Sequence, residues 1–448
     1  MLPIALLIGV TVFLIAPPRH SQAKEGLNFL ESGPHNWAQY SPYMPQAEYK
    51  PPPEGCRVTQ VRFLQRHGAR YPTSGATERI MVALWKLLSV KKYEDARFKF
   101  LETFTYKLGS DDLVRFGADQ SFQAGQETFR RYAYLIDLDK LPFVRASSAE
   151  RVVLSALNWT AGFAAASEFM YHPALSVILP ESGNNTLDDK MCPSAGSPIA
   201  QTSTWLAQYA PPISARLNAA APGANLSDVD TFALMSLCPF ESVAKRQKSA
   251  FCDIFEDEGG AFEAFGYSGD LDKYYGTGYG EPLGPVQGVG YVNELLARLT
   301  GSPVRDRTQT NTTLDASPDT FPLNRTLYVD FSHDNAMVAV YAALGLFRHP
   351  QTEPLDPGRP DEDRVWRVGA MVPFSGRMVV ERMQCAVGRG DDGGEEEAAH
   401  VRILVSDRVQ PLEFCSADAD GLCGLREFVA SQVYAQEGSE EDWGQCSA

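Results

Sequence analysis

The pattern of apolar and polar positions changes several times along the chain, and each change predicts an element. "RVTQVRFLQ", residues 57–65, is rich in β-formers and partly alternates, which predicts a strand. After Thr73 to Ala76, apolar residues at 80, 81, 84, 87 and 88 fall at helical spacing, which predicts a helix over "TERIMVALWKLLSV". "LPFVRASSAERVVLSALNWTAGFAAASEF" reads as a short strand, a turn at Ala146 to Ser148, and a helix. "TLYVDFSHDNAMVAVYAALGLF" repeats that form: a strand to Phe331, a polar turn, then an apolar helix. "GPVQGVGYVNELLARLTG" predicts a helix stopped by Gly301. "GRMVVERMQC" and "AHVRILVSDRVQPL" predict a late strand pair, with "GRGDDGGEEE" between them as a solvated acidic turn.

Two stretches lack such periodicity. Residues 24–53 form a Pro-, Tyr- and Ser-rich arm that predicts an extended segment over the surface. Residues 182–260 are rich in Asn, Ala, Ser and Pro with short helical patches, which predicts a separate, mostly helical subdomain. No internal repeat is present.

Length and charge narrow the picture. With 448 residues, 44% of them hydrophobic, the chain can bury a large core and divide into two or three units. Its 40 basic and 56 acidic side chains give a formal net charge of −16. Such a mean field repels phosphate, so nucleic acid is excluded as a default partner, and any anionic substrate needs a local basic pocket.

The first residues suggest an export route. Leu2 to Ala16 is apolar, about as long as a signal-peptide core, and Ser21-Gln22-Ala23 offers a small-x-small cleavage site, so residues 1–23 read as a signal peptide. No Lys or Arg precedes the apolar run, and a membrane anchor is the alternative reading. Eight cysteines, an even number, agree with an oxidising compartment and four disulfides, for which 105 pairings exist. None forms a CxxC pair, so the cysteines do not suggest zinc. Sequons at Asn158, Asn184, Asn225, Asn311 and Asn324 suggest a secreted glycoprotein when taken with the signal peptide.

Three strand-to-helix junctions carry the candidate chemistry: "FLQRHGARYPT", "PFVRASSAER" and "VDFSHDNAM". Ligands of open α/β sheets bind at the carboxyl ends of strands, where helix N-termini add unpaired N–H groups. The junctions therefore predict one site built from Arg66, His67, Arg70, Arg145, His333 and Asp334. Three arginines would converge only on an anion, and the guanidinium fork matches phosphate oxygens. For a phosphate monoester, Arg66, Arg70, Arg145 and His333 would neutralise the equatorial oxygens. His67 would be the nucleophile, kept neutral by the cations around it, and Asp334 the acid for the leaving oxygen. Either motif alone is equally well read as a chance match or a helix cap.

Together, "RHGARYPT" and "SHDN" resemble the two signatures of the histidine acid phosphatases. "LPFVRAS", "DLDKYYGTGYGEPLGPVQGVGYVNELLARLTG", "FPLNRTLYVDFSHDN", "MVPFSG" and "DRVQPLEFC" resemble the fungal phytases of that family, the basidiomycete group above all, and the likeness runs from about Tyr40 onward. The resemblance implies a large α/β domain with a central sheet flanked by helices, and a smaller, mostly helical domain covering the active-site cleft. The family domain would span 54–448, with the α/β core near 54–75, 140–180 and 285–448, and the helical part near 76–139 and 181–284.

The resemblance further implies His67 as phosphoryl acceptor, Asp334 as proton donor, and Arg66, Arg70, Arg145 and His333 on the scissile phosphate. It implies bonds Cys56–Cys385, Cys192–Cys446, Cys238–Cys252 and Cys415–Cys423, and Lys273 in "DLDKYYG" as a substrate-contacting lysine. An extra N-terminal bridge of some relatives has no counterpart, which implies a looser arm. The lysines that follow "RHGARYPT" in several fungal phytases are also missing, with Arg79 the sole cation before Lys86, which implies a less basic pocket.

The expectation is thus a secreted monomer that hydrolyses phytate, myo-inositol hexakisphosphate, with no metal, no cofactor and no membrane attachment after signal cleavage. The alternatives are a broad-specificity acid phosphatase, a phosphoglycerate-mutase-like transferase, which secretion and sequons fit badly, and a catalytically dead anion-binding glycoprotein.

Overall fold

The computed structural model describes residues 30, 36–255, 259–389 and 395–447. The signal-peptide segment, most of residues 24–35 and the tip of the acidic loop lie outside the described residues. One mixed sheet organises the molecule. Its strands are β1 (Cys56–Arg66), β2 (Phe143–Ser147), β3 (Leu175–Leu179), β4 (Leu327–Ser332), β5 (Arg377–Arg389), β6 (Glu395–Val405), β7 (Arg408–Val409) and β8 (Cys423–Gly424). The order is β3-β2-β4-β1-β5-β6-β7, with β8 also on β6. Neighbours among β3, β2, β4 and β1 are parallel, while β5, β6, β7 and β8 join antiparallel.

Both faces of the centre are covered, so its strands read as almost continuous apolar runs. All six residues of β4 are buried. On one face Val61, Phe63, Val144 and Val329 pack with Ala124, Trp159 and Phe163 from two helices, α2 (Arg115–Tyr132) and α3 (Glu150–Ala166). On the other, Leu64, Tyr328 and Val380 meet α8 (Val289–Thr300) and α9 (Asp334–Leu344). Gly301 ends α8 with φ +69°, a conformation that suits glycine, as the sequence predicts.

A third core joins α1 (Ser74–Leu88), α4 (Ile199–Ala220), α5 (Asp228–Lys245), α6 (Ala250–Phe255) and the start of α7 (Ala261–Gly276). This is the helical part expected from residues 182–260, but its helices are longer than their composition suggests. Pro211 and Pro212 lie inside α4 and Pro239 inside α5. Each proline removes one helical N–H, and tertiary packing outweighs that loss. Residues 115–132, expected with the helical part, instead lie on the sheet, where α2 packs against α3.

Four disulfides join Cys56 to Cys385, Cys192 to Cys446, Cys238 to Cys252 and Cys415 to Cys423. Cys56 and Cys385 face each other across β1 and β5. The arm from residue 36 onward is not loose. Gln46 N–H donates to the Ser406 carbonyl at 2.7 Å, Tyr49 donates to Glu381 at 2.8 Å, and Arg402 donates to the Lys50 carbonyl at 3.0 Å. No helix among the described residues is long and apolar enough to cross a membrane. Of the sequon asparagines, Asn184, Asn225 and Asn324 are exposed, while Asn158 and Asn311 are half-buried.

Candidate active site

Register places the two signature histidines side by side. In the parallel pair β1–β4, Arg66 stands opposite Ser332, so each strand ends at the same level. His67 and His333 follow at once, with ring centroids 5.6 Å apart. The His67 N–H donates to the Ser332 carbonyl at 3.1 Å, which ties the two junctions together. Gly68 is required by space: a Cβ there would lie 2.1 Å from the Gly117 carbonyl oxygen.

The His67 ring has a defined proton arrangement. Nδ1 lies 2.8 Å from the Gly68 carbonyl oxygen, which can only accept, so Nδ1 carries the hydrogen and Nε2 keeps its lone pair. Burial, and then the charges of Arg66, Arg70, His333 and Arg151, hold the imidazole well below the usual histidine range. Both effects favour the neutral ring, with the Nε2 lone pair free.

Asp334, the first residue of α9, is the counter-ion of this cluster. Arg66 Nη2 lies 3.0 Å and Lys273 Nζ 3.4 Å from its carboxylate. Burial alone would push Asp334 up, yet the charges of Arg66, Lys273 and Arg70 outweigh it and hold the carboxyl well below its usual range. This direction favours the ionised form in the free site, against the protonated acid that the sequence reading requires. Arg66 is fully buried and donates to the carbonyls of Gln39 and Val372, so the arm helps to set its position. Lys273 reaches Asn335 Oδ1 at 2.6 Å and Asp272 at 3.1 Å. Beside it opens a recess of about 240 Å³ lined by Asp189, Asp272, Lys273, Gln287 and Asn335. Its carboxylates offset Lys273, in line with a less basic pocket. A larger cavity of about 700 Å³, bounded by Trp205, Glu263 and Arg364, holds none of the signature residues.

Arg145 is not in this group, which corrects the sequence expectation. It lies in mid-strand, level with Asp330 of β4. Its Nε donates to Asp330 at 2.7 Å and its Nη1 to Glu294 at 3.2 Å, with the side chain 2% exposed. Two buried carboxylates consume its donors, and Arg298 shares Asp330 at 2.7 Å. The arginine whose charge reaches the site is Arg151, in the first turn of α3. Its charge bears on His67, Arg66 and Arg70, and its buried Nε has no hydrogen-bond partner. Its helix turn holds the motif as well: the Gly68 N–H donates to Ser155 Oγ, which donates to the Arg151 carbonyl at 2.7 Å.

Glu181, after β3, is a second residue that the sequence reading misses. His333 Nε2 lies 2.9 Å from its Oε1, and Ser147 and the Ala149 N–H donate to the same oxygen. The hydrogen bond from His333 is the largest cause that holds Glu181 well below the usual carboxylate range. Nε2–H is thus the donor, and Nδ1 is left for another partner.

Two imidazoles and several guanidinium groups, gathered at the carboxyl ends of parallel strands around one carboxylate, define a phosphate-handling site of the histidine phosphatase type. The chain belongs to the histidine phosphatase superfamily, branch 2, whose family model matches residues 57–406. Among curated proteins it is 40% identical to Phytase A of Aspergillus fumigatus, over 92% of this chain and 90% of the relative. It is 37% identical to Phytase A of Aspergillus awamori, over 100% and 99% of the two chains. In fold it is similar to the crystal structure of the D. castellii phytase, with a TM-score of 0.74 at 21% identity, covering 94% and 88% of the chains. The fold also matches the Bifidobacterium longum multiple inositol polyphosphate phosphatase in complex with inositol hexasulfate, with a TM-score of 0.67 at 15% identity, covering 91% and 99%.

The two arginines separate by experiment. Arg145→Ala leaves Asp330 and Glu294 short of a buried partner and should lower stability by about 3–5 kcal/mol, measured by denaturant unfolding. Arg151→Ala should melt near the wild type while losing most hydrolytic activity. The opposite pattern would return Arg145 to the site. The pH profile gives a second test. His67 loses its lone pair only when pH falls through a value well below 6.5. The acid limb of kcat/KM should lie well below that pH, and Arg70→Gln should move it upward by removing a charge that disfavours imidazolium. An unmoved limb would assign it to another group.

Proposed function

We propose that the chain hydrolyses phytate through a phosphohistidine on His67. The observation that carries the reading is the unprotonated Nε2 of His67, held within a buried cation cluster. Nε2 attacks phosphorus in line with the ester oxygen, a P–N bond forms and the P–O bond breaks. Arg66, Arg70, Arg151 and His333 neutralise the phosphoryl oxygens. Asp334 protonates the leaving alkoxide; the dianion bound among the same cations offsets their pull on its carboxyl, so substrate itself raises Asp334 towards the protonated form. In the second half-reaction the ionised Asp334 takes a proton from water as water attacks phosphorus, and His67 leaves neutral.

Phytate rather than a simple monoester is supported by the Phytase A relatives. Lys273, at the recess, is the cation we assign to a phosphate outside the scissile position. The reading comprises a sheet-centred unit and a helical unit flanking the pocket. Export is part of it, supported by the apolar N-terminal segment, the sequons and four disulfides.

If Asp334 is the acid, Asp334→Asn should slow alkyl phosphates far more than activated aryl phosphates, whose leaving groups need little protonation. Equal losses would reduce Asp334 to a structural or binding role. For substrate choice, kcat/KM on phytate should exceed that on an aryl phosphate in acid. Lys273→Ala should lower the phytate value more than the aryl one, by an amount that shrinks with added salt. Some aryl loss is expected, because Lys273 also touches Asp334. Higher efficiency on the aryl ester at every acid pH would establish the broad acid phosphatase instead.

A further inference from the structure

Beside His333 lie two carboxylates, Glu181 and Asp188, that the phosphoryl-transfer steps do not use. Glu181, Asp188 and His333 each present a donor atom, and these atoms lie within 4.8 Å of one another. The sequence gives no sign of this, because 145 positions separate Asp188 from His333 and no short spacing links them. His333 Nε2 is 2.9 Å from Glu181 Oε1 and 3.9 Å from Asp188 Oδ1. Four-coordinate zinc, with bonds of about 2.0–2.2 Å, holds its donors roughly 3.4 Å apart. The two observed separations bracket that value.

Asp188 supplies an independent indication. It is 3% exposed, yet its Oδ2 has no hydrogen-bond partner. A buried carboxylate left so is costly unless a cation attends it. The nearest one is Lys190 Nζ at 3.6 Å from Oδ2, beyond hydrogen-bond range. The same ammonium is also paired with Glu181. Lys190 is 59% exposed, so it holds this position from solvent on a flexible stem. The chain thus places one solvent-facing positive charge where three convergent donors could hold a metal ion.

We propose that Glu181, Asp188 and His333 form a binding site for a borderline divalent cation such as Zn²⁺, with the Lys190 ammonium as the group that the ion displaces. One imidazole and two carboxylates suit zinc better than magnesium or calcium, which favour oxygen donors throughout. The ion takes the Nε2 position of His333 in place of its hydrogen. It binds the side of the imidazole turned to Glu181 and leaves Nδ1 of His333 for the phosphoryl group.

Isothermal titration of the folded protein with Zn²⁺ in a non-coordinating buffer tests this, with Co²⁺ absorption as a second readout. The wild type should bind one ion with the spectrum of a nitrogen- and oxygen-ligated site. Asp188→Asn should weaken binding at least tenfold, through loss of a charged donor. Lys190→Gln should tighten it several-fold, because a competing charge is gone. The exposed histidine variant His172→Gln should change nothing. Lys190 lies outside the catalytic group, so its variant remains informative if Asp188→Asn folds poorly. Zn²⁺ affinity indifferent to both substitutions, or abolished by His172→Gln, would overturn the site.

Discussion

A shortage of negative charge governs this molecule's centre. Arg66, Arg70, Arg151 and Lys273 gather around one buried volume, and Asp334 is the carboxylate that Arg66, Arg70 and Lys273 share. Guanidinium groups cannot shed their protons to relieve the strain as a lysine can. The surrounding fold must therefore hold them by force of packing and backbone carbonyls. Gln39 and Val372 do this for Arg66, and the Tyr71 carbonyl does it for Arg70 at 2.8 Å. Such a site is incomplete by design: an incoming dianion supplies the charge that the protein withholds.

The same shortage orders the chemistry. One set of cations depresses both His67 and Asp334, which favours the neutral imidazole and the ionised carboxylate together. On the reading proposed above, a bound dianion offsets the same charges and raises both groups, which links proton donation by Asp334 to the occupied state. The buried ion pairs of Arg145 with Asp330 and Glu294 are a separate matter. They neutralise themselves within the sheet and its covering helix α8, which keeps them from competing for substrate.

Much of this was legible in the sequence. The ends of β1 and β4 could be read from apolar runs that stop at charged motifs, and His67, His333 and Asp334 follow those stops directly. Arg145 shows where the reading failed. Both arginines lie in the same stretch, and the rule that ligands gather at strand ends and helix starts favours Arg151, in the first helical turn, over a residue in mid-strand. The strand β3 is only five residues long with two of them buried, too little alternation to mark. Glu181 and Asp188 were invisible for a different reason. Their importance lies in proximity to His333, which only the fold creates. The helices α4 and α5 were masked by their own prolines.

The placement of β1 at the middle of the sheet has a consequence for biogenesis. It is the first strand made among the described residues, yet it pairs with β4 and β5, and the Cys56–Cys385 bond joins positions 329 residues apart. At about 5–20 residues per second, the ribosome delivers that second partner roughly 15–65 s after the first strand. During that interval a strand with two open edges, which carries Cys56 and Arg66 and leads into His67 and Arg70, waits without its neighbours. The pocket is therefore among the last features to form, and the early cysteine remains available to wrong partners for as long as synthesis continues.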